Sequence, residues 1–115
     1  MIARLWRGYA DGTVNADAYQ RHAVETVFPA LEGMTGHRGA WLLRRATEGR
    51  TEIVVVTLWE SRQSIEAFTG KDIDRAVVEP EARAVLAAFD DVATHYDVAS
   101  FFTSPVLGPN RGRGG

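Results

Sequence analysis

The stretch EIVVVTLWES, Glu52 to Ser61, decides how this chain folds. Ile53, Val54, Val55 and Val56 form an unbroken apolar run, so a strand here is greasy on both faces. A strand with one solvated face alternates apolar with polar residues instead. Something must therefore cover the second face. The run ends in Trp59 and Glu60, and Ser61 after them is suited to cap a helix.

Working outward, GAWLLRRA (Gly39–Ala46) precedes the run and TEGRT is a short turn between them, which predicts a hairpin. Upstream, Ile2, Leu5, Trp6 and Tyr9 mark a first strand. After the turn-forming ADGTVN, Asn15 is the expected N-cap of a helix with Asp17 in its first turn. Ala23, Val24, Val27, Phe28 and Leu31 form that helix's apolar face, and Pro29 is expected to kink or end it. Gly33, Gly36 and Gly39 punctuate the loop that follows.

Downstream of Ser61, Ile65 and Phe68 face inward from a second helix. Gly70 interrupts it, with Ile73, Ala76 and Val77 continuing the apolar face. Pro80 fits the first position of a further short helix that buries Ala82, Val85, Leu86 and Phe89. DVATHYDVASFF (Asp91–Phe102) reads as the last strand. The expected domain spans residues 1–102, and residues 103–115, rich in Gly, Pro and Arg, read as a flexible tail.

The order β-α-β-β-α-β predicts an α+β, ferredoxin-like fold with a four-stranded antiparallel sheet. Helices cover one face of such a sheet. With no chain left for the other, a second copy is the economical cover, which predicts a homodimer. The alternative is a monomer whose valine run is merely a central strand.

Composition narrows the function classes. The 115 residues are 45% hydrophobic and carry a formal charge of −2, so a packed domain is expected and broad attraction to nucleic acid or anionic lipid is not. No apolar segment has signal-peptide or membrane-spanning length, and the chain reads as cytoplasmic. It has no cysteine, hence no disulfide, thiolate ligand or thiol nucleophile. The RGRG near the end is too short to carry an RNA-binding claim.

His22, His37 and His95 are the only histidines, and no two have the spacing of a helix-borne metal site. No metal site is predicted. No Gly-x-Ser-x-Gly elbow or Gly-Lys-Ser/Thr phosphate loop occurs. His22 and His37 fit bland roles. His95, inside a strand, is either a hydrogen-bonded core residue or a catalytic base. Trp6, Trp41 and Trp59 fall on three strands, and with Tyr9, Phe68, Phe89 and Tyr96 they build either a plain core or the walls of a flat pocket.

IARLWRGY, GHRGAWLLRR, VVVTLWESRQSIEAFTGKDIDRAV and VATHYDV together resemble antibiotic biosynthesis monooxygenase domains, from about Ile2 to Val98. The resemblance implies a dimeric α+β barrel. It also implies one of two chemistries. In the branch that converts polyketide phenols to quinones without a cofactor, an Asn four residues before the strand-end Trp helps bind substrate; here Trp59 is kept and that position is Val55. The haem-degrading branch uses an Asn on the first strand and a Trp and a His ten residues apart; the corresponding positions are near Arg7, Phe68 and Val78. All three residues are missing, so haem degradation is disfavoured.

The expectation is therefore a cofactor-independent monooxygenase acting on a small aromatic or polyketide-like substrate. His95 would be the base and Arg7 the anion stabiliser. Trp6, Trp59, Phe68 and Tyr96 are the substrate-binding candidates, in a pocket between sheet and helices with Trp59 overhanging its mouth. The competing expectation is a catalytically silent dimer that binds a small hydrophobic ligand.

Overall fold

A computed structural model of the chain describes residues 1–104. The tail expected to be flexible lies, for its larger part, outside the described residues.

The chain runs β1 (Ile2–Asp11), α1 (Gly12–His22), a π-helical segment (Ala23–Val27), α2 (Phe28–Glu32), β2 (His37–Thr47), β3 (Arg50–Trp59), α3 (Arg62–Thr69), α4 (Pro80–Val85), β4 (Ala88–Phe89) and β5 (Thr94–Asp97). All pairings are antiparallel. β3 is central between β2 and β1, and β4 and β5 both pair with β1. This is the predicted α+β arrangement, with the fourth strand position divided in two.

The alternation of β1 sets the two faces of the sheet. Ile2, Arg4, Trp6 and Ala10 are buried beneath the helices, whereas Ala3, Leu5, Arg7 and Tyr9 lie half-buried on the other face. The register carries this parity into β3: Trp6 pairs with Val55 and Arg4 with Thr57, while Leu5 pairs with Val56 and Arg7 with Val54. Ile53, Val55, Thr57 and Trp59 thus belong to the helix face. Val54, Val56 and Leu58 share the open face with Trp41 and Leu43 of β2, whose side chains are 46% and 52% exposed. The valine run thus puts apolar side chains on both faces of the sheet.

Several local expectations change. Asp11, not Asn15, is the N-cap of α1, and Asn15 Nδ2 donates back to the Asp11 carbonyl at 3.0 Å. Pro29 neither ends nor sharply breaks the helix. Proline has no N–H and its ring crowds the carbonyl four residues earlier. The turn before it widens so that the Phe28 N–H reaches the Ala23 carbonyl, and helix continues to Glu32. Val24 is exposed rather than on the buried face.

Ser61 caps α3 as expected, in a reciprocal box with Ser64. Gly70, at φ 85°, ends that helix. Residues 71–79 are not helical. Instead, Arg75 bridges Val92, the Ala76 N–H donates to the Asp91 carbonyl and the Ala93 N–H to the Asp74 carbonyl. The last strand is correspondingly short: the Asp90 N–H still donates to the Arg7 carbonyl of β1, and residues 91–93 then turn to the 74–76 segment.

Two clusters form the core under the helices. One gathers Trp6, Ala10, Ala16, Tyr19, Ala23 and Ile53; the other gathers Ile2, Leu31, Trp59 and Ile65, and Phe28 packs against both. The alanines of α1 bring it close to the sheet, and the seam between the clusters is left incompletely filled.

Candidate functional site

At that seam lies a cavity of about 50 Å³, walled by Trp6, Tyr19, Val27, Leu31, Val55 and Phe68. Its polar lining comes from Arg4, His22, Thr57 and Glu79. A volume of this size holds a few waters. β1 and β3 provide the floor, α1 and the π-helical segment one wall, and Val77, Val78 and Glu79 of the non-helical segment close the top.

Each polar group has a defined setting. Trp6 is fixed by Nε1 donating to the Asp90 carbonyl at 2.8 Å, with its ring centroid 6.0 Å from that of Tyr19. Burial, with Glu79 nearby, raises the Tyr19 hydroxyl above its usual range, so it stays protonated and available as a donor. His22 Nε2 stands 2.7 Å from Glu79 Oε1; the imidazole is largely buried and the carboxylate about half exposed. This pair marks the mouth.

Arg4 is 5% exposed. Its Nη2 donates to the Arg75 carbonyl at 2.9 Å, its guanidinium lies 5.4 Å from the Phe68 ring centroid, and its Nε has no partner. Burial lowers its pKa to about 10, partly offset by Asp74, so it remains cationic at neutral pH.

The expected site residues separate. Trp6 and Phe68 line the cavity. Trp59 does not overhang the mouth: it is fully buried, stacked on Phe68 at 6.2 Å, edge-on to His37 at 5.0 Å, and donates from Nε1 to Thr57 Oγ1 at 2.8 Å. Arg7 and Tyr96 sit on the opposite face of the sheet, because adjacent strand residues point to opposite sides. Arg7 Nε lies 2.7 Å from Glu52 Oε2, an ion pair without hydrogen-bond alignment, and Tyr96 is 53% exposed.

His95 is on the helix face but outside the cavity. Its Nδ1 is 3.2 Å from Asp74 Oδ1 and its buried Nε2 has no partner. Burial and the charge of Arg4 push its pKa down.

Arg4, Tyr19, His22 and Glu79 were not singled out for this role. Arg4 shares strand parity with Trp6, a signal present in the sequence; the His22–Glu79 contact spans 57 residues and has none. The ligand atoms of His22, Glu79 and Glu81 lie within 4.8 Å of one another, so the fold assembles a three-residue donor group that spacing did not disclose.

A small antiparallel α+β domain with helices over one face of its sheet and a cavity between them defines the ferredoxin-like class. The chain belongs to the antibiotic biosynthesis monooxygenase family, whose sequence profile matches residues 13–80. Similar solved structures include the haem degrader MhuD of Mycobacterium tuberculosis, with two haems bound in its active site (17% identity, 90% of this chain and 100% of that one, TM-score 0.61). A putative antibiotic biosynthesis monooxygenase from Bacillus cereus aligns with 19% identity over 90% of this chain and 95% of its own, TM-score 0.58. The monooxygenase from gene ActVA-Orf6 of Streptomyces coelicolor, in complex with nanaomycin D, aligns with 15% identity over 90% and 92%, TM-score 0.57. At these identities the structures speak to fold. No curated protein matches the chain. Among the described residues no helix is long and apolar enough to cross a membrane.

Haem does not fit the cavity as it stands. The positions expected to match the haem-degrading pair, Phe68 and Val78, both line it and neither offers a ligand atom. The lining imidazole, His22, has its Nε2 engaged by Glu79.

Proposed function

We propose that this chain is a monooxygenase that oxidises a small aromatic substrate with dioxygen, the substrate itself supplying the electrons. The observation that carries this reading is an enclosed, aromatic-walled cavity with an imidazole–carboxylate pair at its mouth, in a member of a monooxygenase family. A phenol or anthrone-like carbon acid placed against Trp6 and Phe68 loses a proton to the His22–Glu79 pair. The carboxylate holds the Nε2 proton and leaves Nδ1 as the basic nitrogen.

The resulting carbanion passes one electron to dioxygen, and the radical pair combines to a substrate hydroperoxide. Loss of water from that carbon leaves a carbonyl. A CH2 and one O2 become a C=O and one H2O, so no further reductant is needed. The apolar walls keep bulk water from the carbanion.

Two copies paired through the open sheet face complete the proposal. Trp41, Leu43 and Tyr96 are about half exposed there, beside Val54 and Val56, and a second sheet of the same kind would remove them from water.

A silent ligand-binding dimer is the second reading, favoured by a cavity of about 50 Å³ that must widen to admit a ring system. Oxygen uptake with anthrone-like and naphthol-like compounds, run beside ligand-induced melting shifts, separates the two. The monooxygenase reading expects one O2 consumed per carbonyl formed, and a fall of about 10²-fold or more in His22→Gln with the fold intact. Melting shifts without uptake would establish the silent reading instead.

A further inference from the structure

We infer that the cavity recognises its ligand by an oxyanion, a carboxylate or ring phenolate carried on an aromatic body, docked on Arg4. This rests on the reading of the cavity as the ligand site and names the chemistry that site selects.

Arg4 stands apart from most other arginines in its charge balance. Arg7, Arg38, Arg44, Arg45, Arg50 and Arg62 each stand beside a carboxylate. Arg4 is the one buried arginine among the described residues, and it has no carboxylate within ion-pair distance. Buried cations are ordinarily paired, because desolvating an isolated charge is costly. The acid that bears on it electrostatically, Asp74, has its carboxylate beside His95 Nδ1 instead.

What does hold Arg4 fixes it without neutralising it. The Arg75 carbonyl takes one N–H of Nη2, and the face of Phe68 attracts the cation but bears no net charge. Nε, buried and unpartnered, is left with a donor to satisfy. Arg4 lines the cavity, so a carboxylate or phenolate entering it meets a guanidinium that has no anionic partner and can give charge-assisted hydrogen bonds. The aromatic walls then receive the ring. Glu79 at the mouth disfavours a second negative charge at the far end of the ligand. Position 4 lies outside the stretch that matches the family profile, so this selectivity belongs to the chain's own first strand.

The test uses the full chain with three small probes: benzoate, its neutral isostere benzamide, and 4-nitrophenol, whose phenolate is coloured. By calorimetry, benzoate should bind at least about tenfold more tightly than benzamide, the preference one charge-assisted hydrogen bond confers. In Arg4→Gln that preference should vanish. Should glutamine at this buried position cost the fold, Arg4→Lys keeps the charge and loses the fork, and should weaken benzoate while leaving benzamide unchanged.

Phenolate colour from 4-nitrophenol, at a pH where the free compound is mostly neutral, would place a ring oxygen on Arg4. Benzoate preference without that colour would place a carboxylate there. Equal affinity for benzoate and benzamide with no phenolate colour, or binding of none of the probes, overturns the inference. Intact anion preference in a protein that never consumes oxygen would sink the monooxygenase reading alone.

Discussion

His22 Nε2 lies 2.7 Å from Glu79 Oε1, joining the last turn of α1 to the end of the segment that closes the cavity. The contact is a latch as well as a candidate proton acceptor. Glu79→Ala should raise amide exchange through residues 71–79 a few-fold, in keeping with a half-exposed hydrogen bond worth about 1 kcal/mol. Exchange in β1 and β3 should not change. Uniform exchange across the chain in both proteins would show that the segment does not open by itself.

Trp59→Ala should cost about 3–5 kcal/mol in chemical denaturation, because it empties a fully buried site and removes the Phe68 and His37 ring contacts. Trp59→Phe should cost less, although Thr57 loses the donor to its hydroxyl. A loss below about 1 kcal/mol for the alanine variant would mean the site collapses or is less well packed than described.

Acid should destabilise the fold through His95. An imidazole ordinarily titrates near 6.5; here burial first, then Arg4, lowers that value against the pull of Asp74. The unfolded chain therefore binds the proton more readily than the folded one. Stability from the neutral ring is fully present above about 6.5 and is lost as the pH falls below it. His37, also pushed down chiefly by burial, acts in the same direction. Melting temperature against pH should fall less steeply on the acid side in His95→Asn, and a curve parallel to the parent's would refute the assignment.

Leu43→Glu should convert a homodimer into a folded monomer in sedimentation, since Leu43 is 52% exposed in the single chain and a charge there disturbs only a partner. Val56→Asp, at a more enclosed place on the same face, should dissociate and also destabilise. A parent that sediments as a monomer at every concentration would remove the proposed pairing.

Element order, the hairpin, the Ser61 cap and the two-faced character of β3 were readable because each rests on local chemistry or on period two. Pairing Trp6 with Arg7 in one pocket was not consistent with that same period. Strict alternation puts Arg4 with Trp6, and separates His95 from Tyr96. A strand arginine looks like a surface residue until the register shows which face it occupies. Other features depend on contacts remote in sequence. The break between β4 and β5 arises from the 74–76 segment pairing with residues 91–93, and the cavity mouth from residues 22 and 79 meeting. The widened turn before Pro29 is local, yet proline alone signals a disturbance and not the form it takes.

Because β1 places Arg4 and Trp6 beneath the helices and Leu5 and Arg7 on the other face, one ten-residue strand carries two separate addresses. Substitutions at Arg4 and Trp6 alter the lining of the cavity; those at Leu5 and Arg7 alter the open face. Selection can change one without consulting the other, provided the backbone pairing with β3 survives. Effects of mutations on opposite faces should then add, and a lineage can alter the proposed ligand site while keeping the proposed pairing, or the reverse.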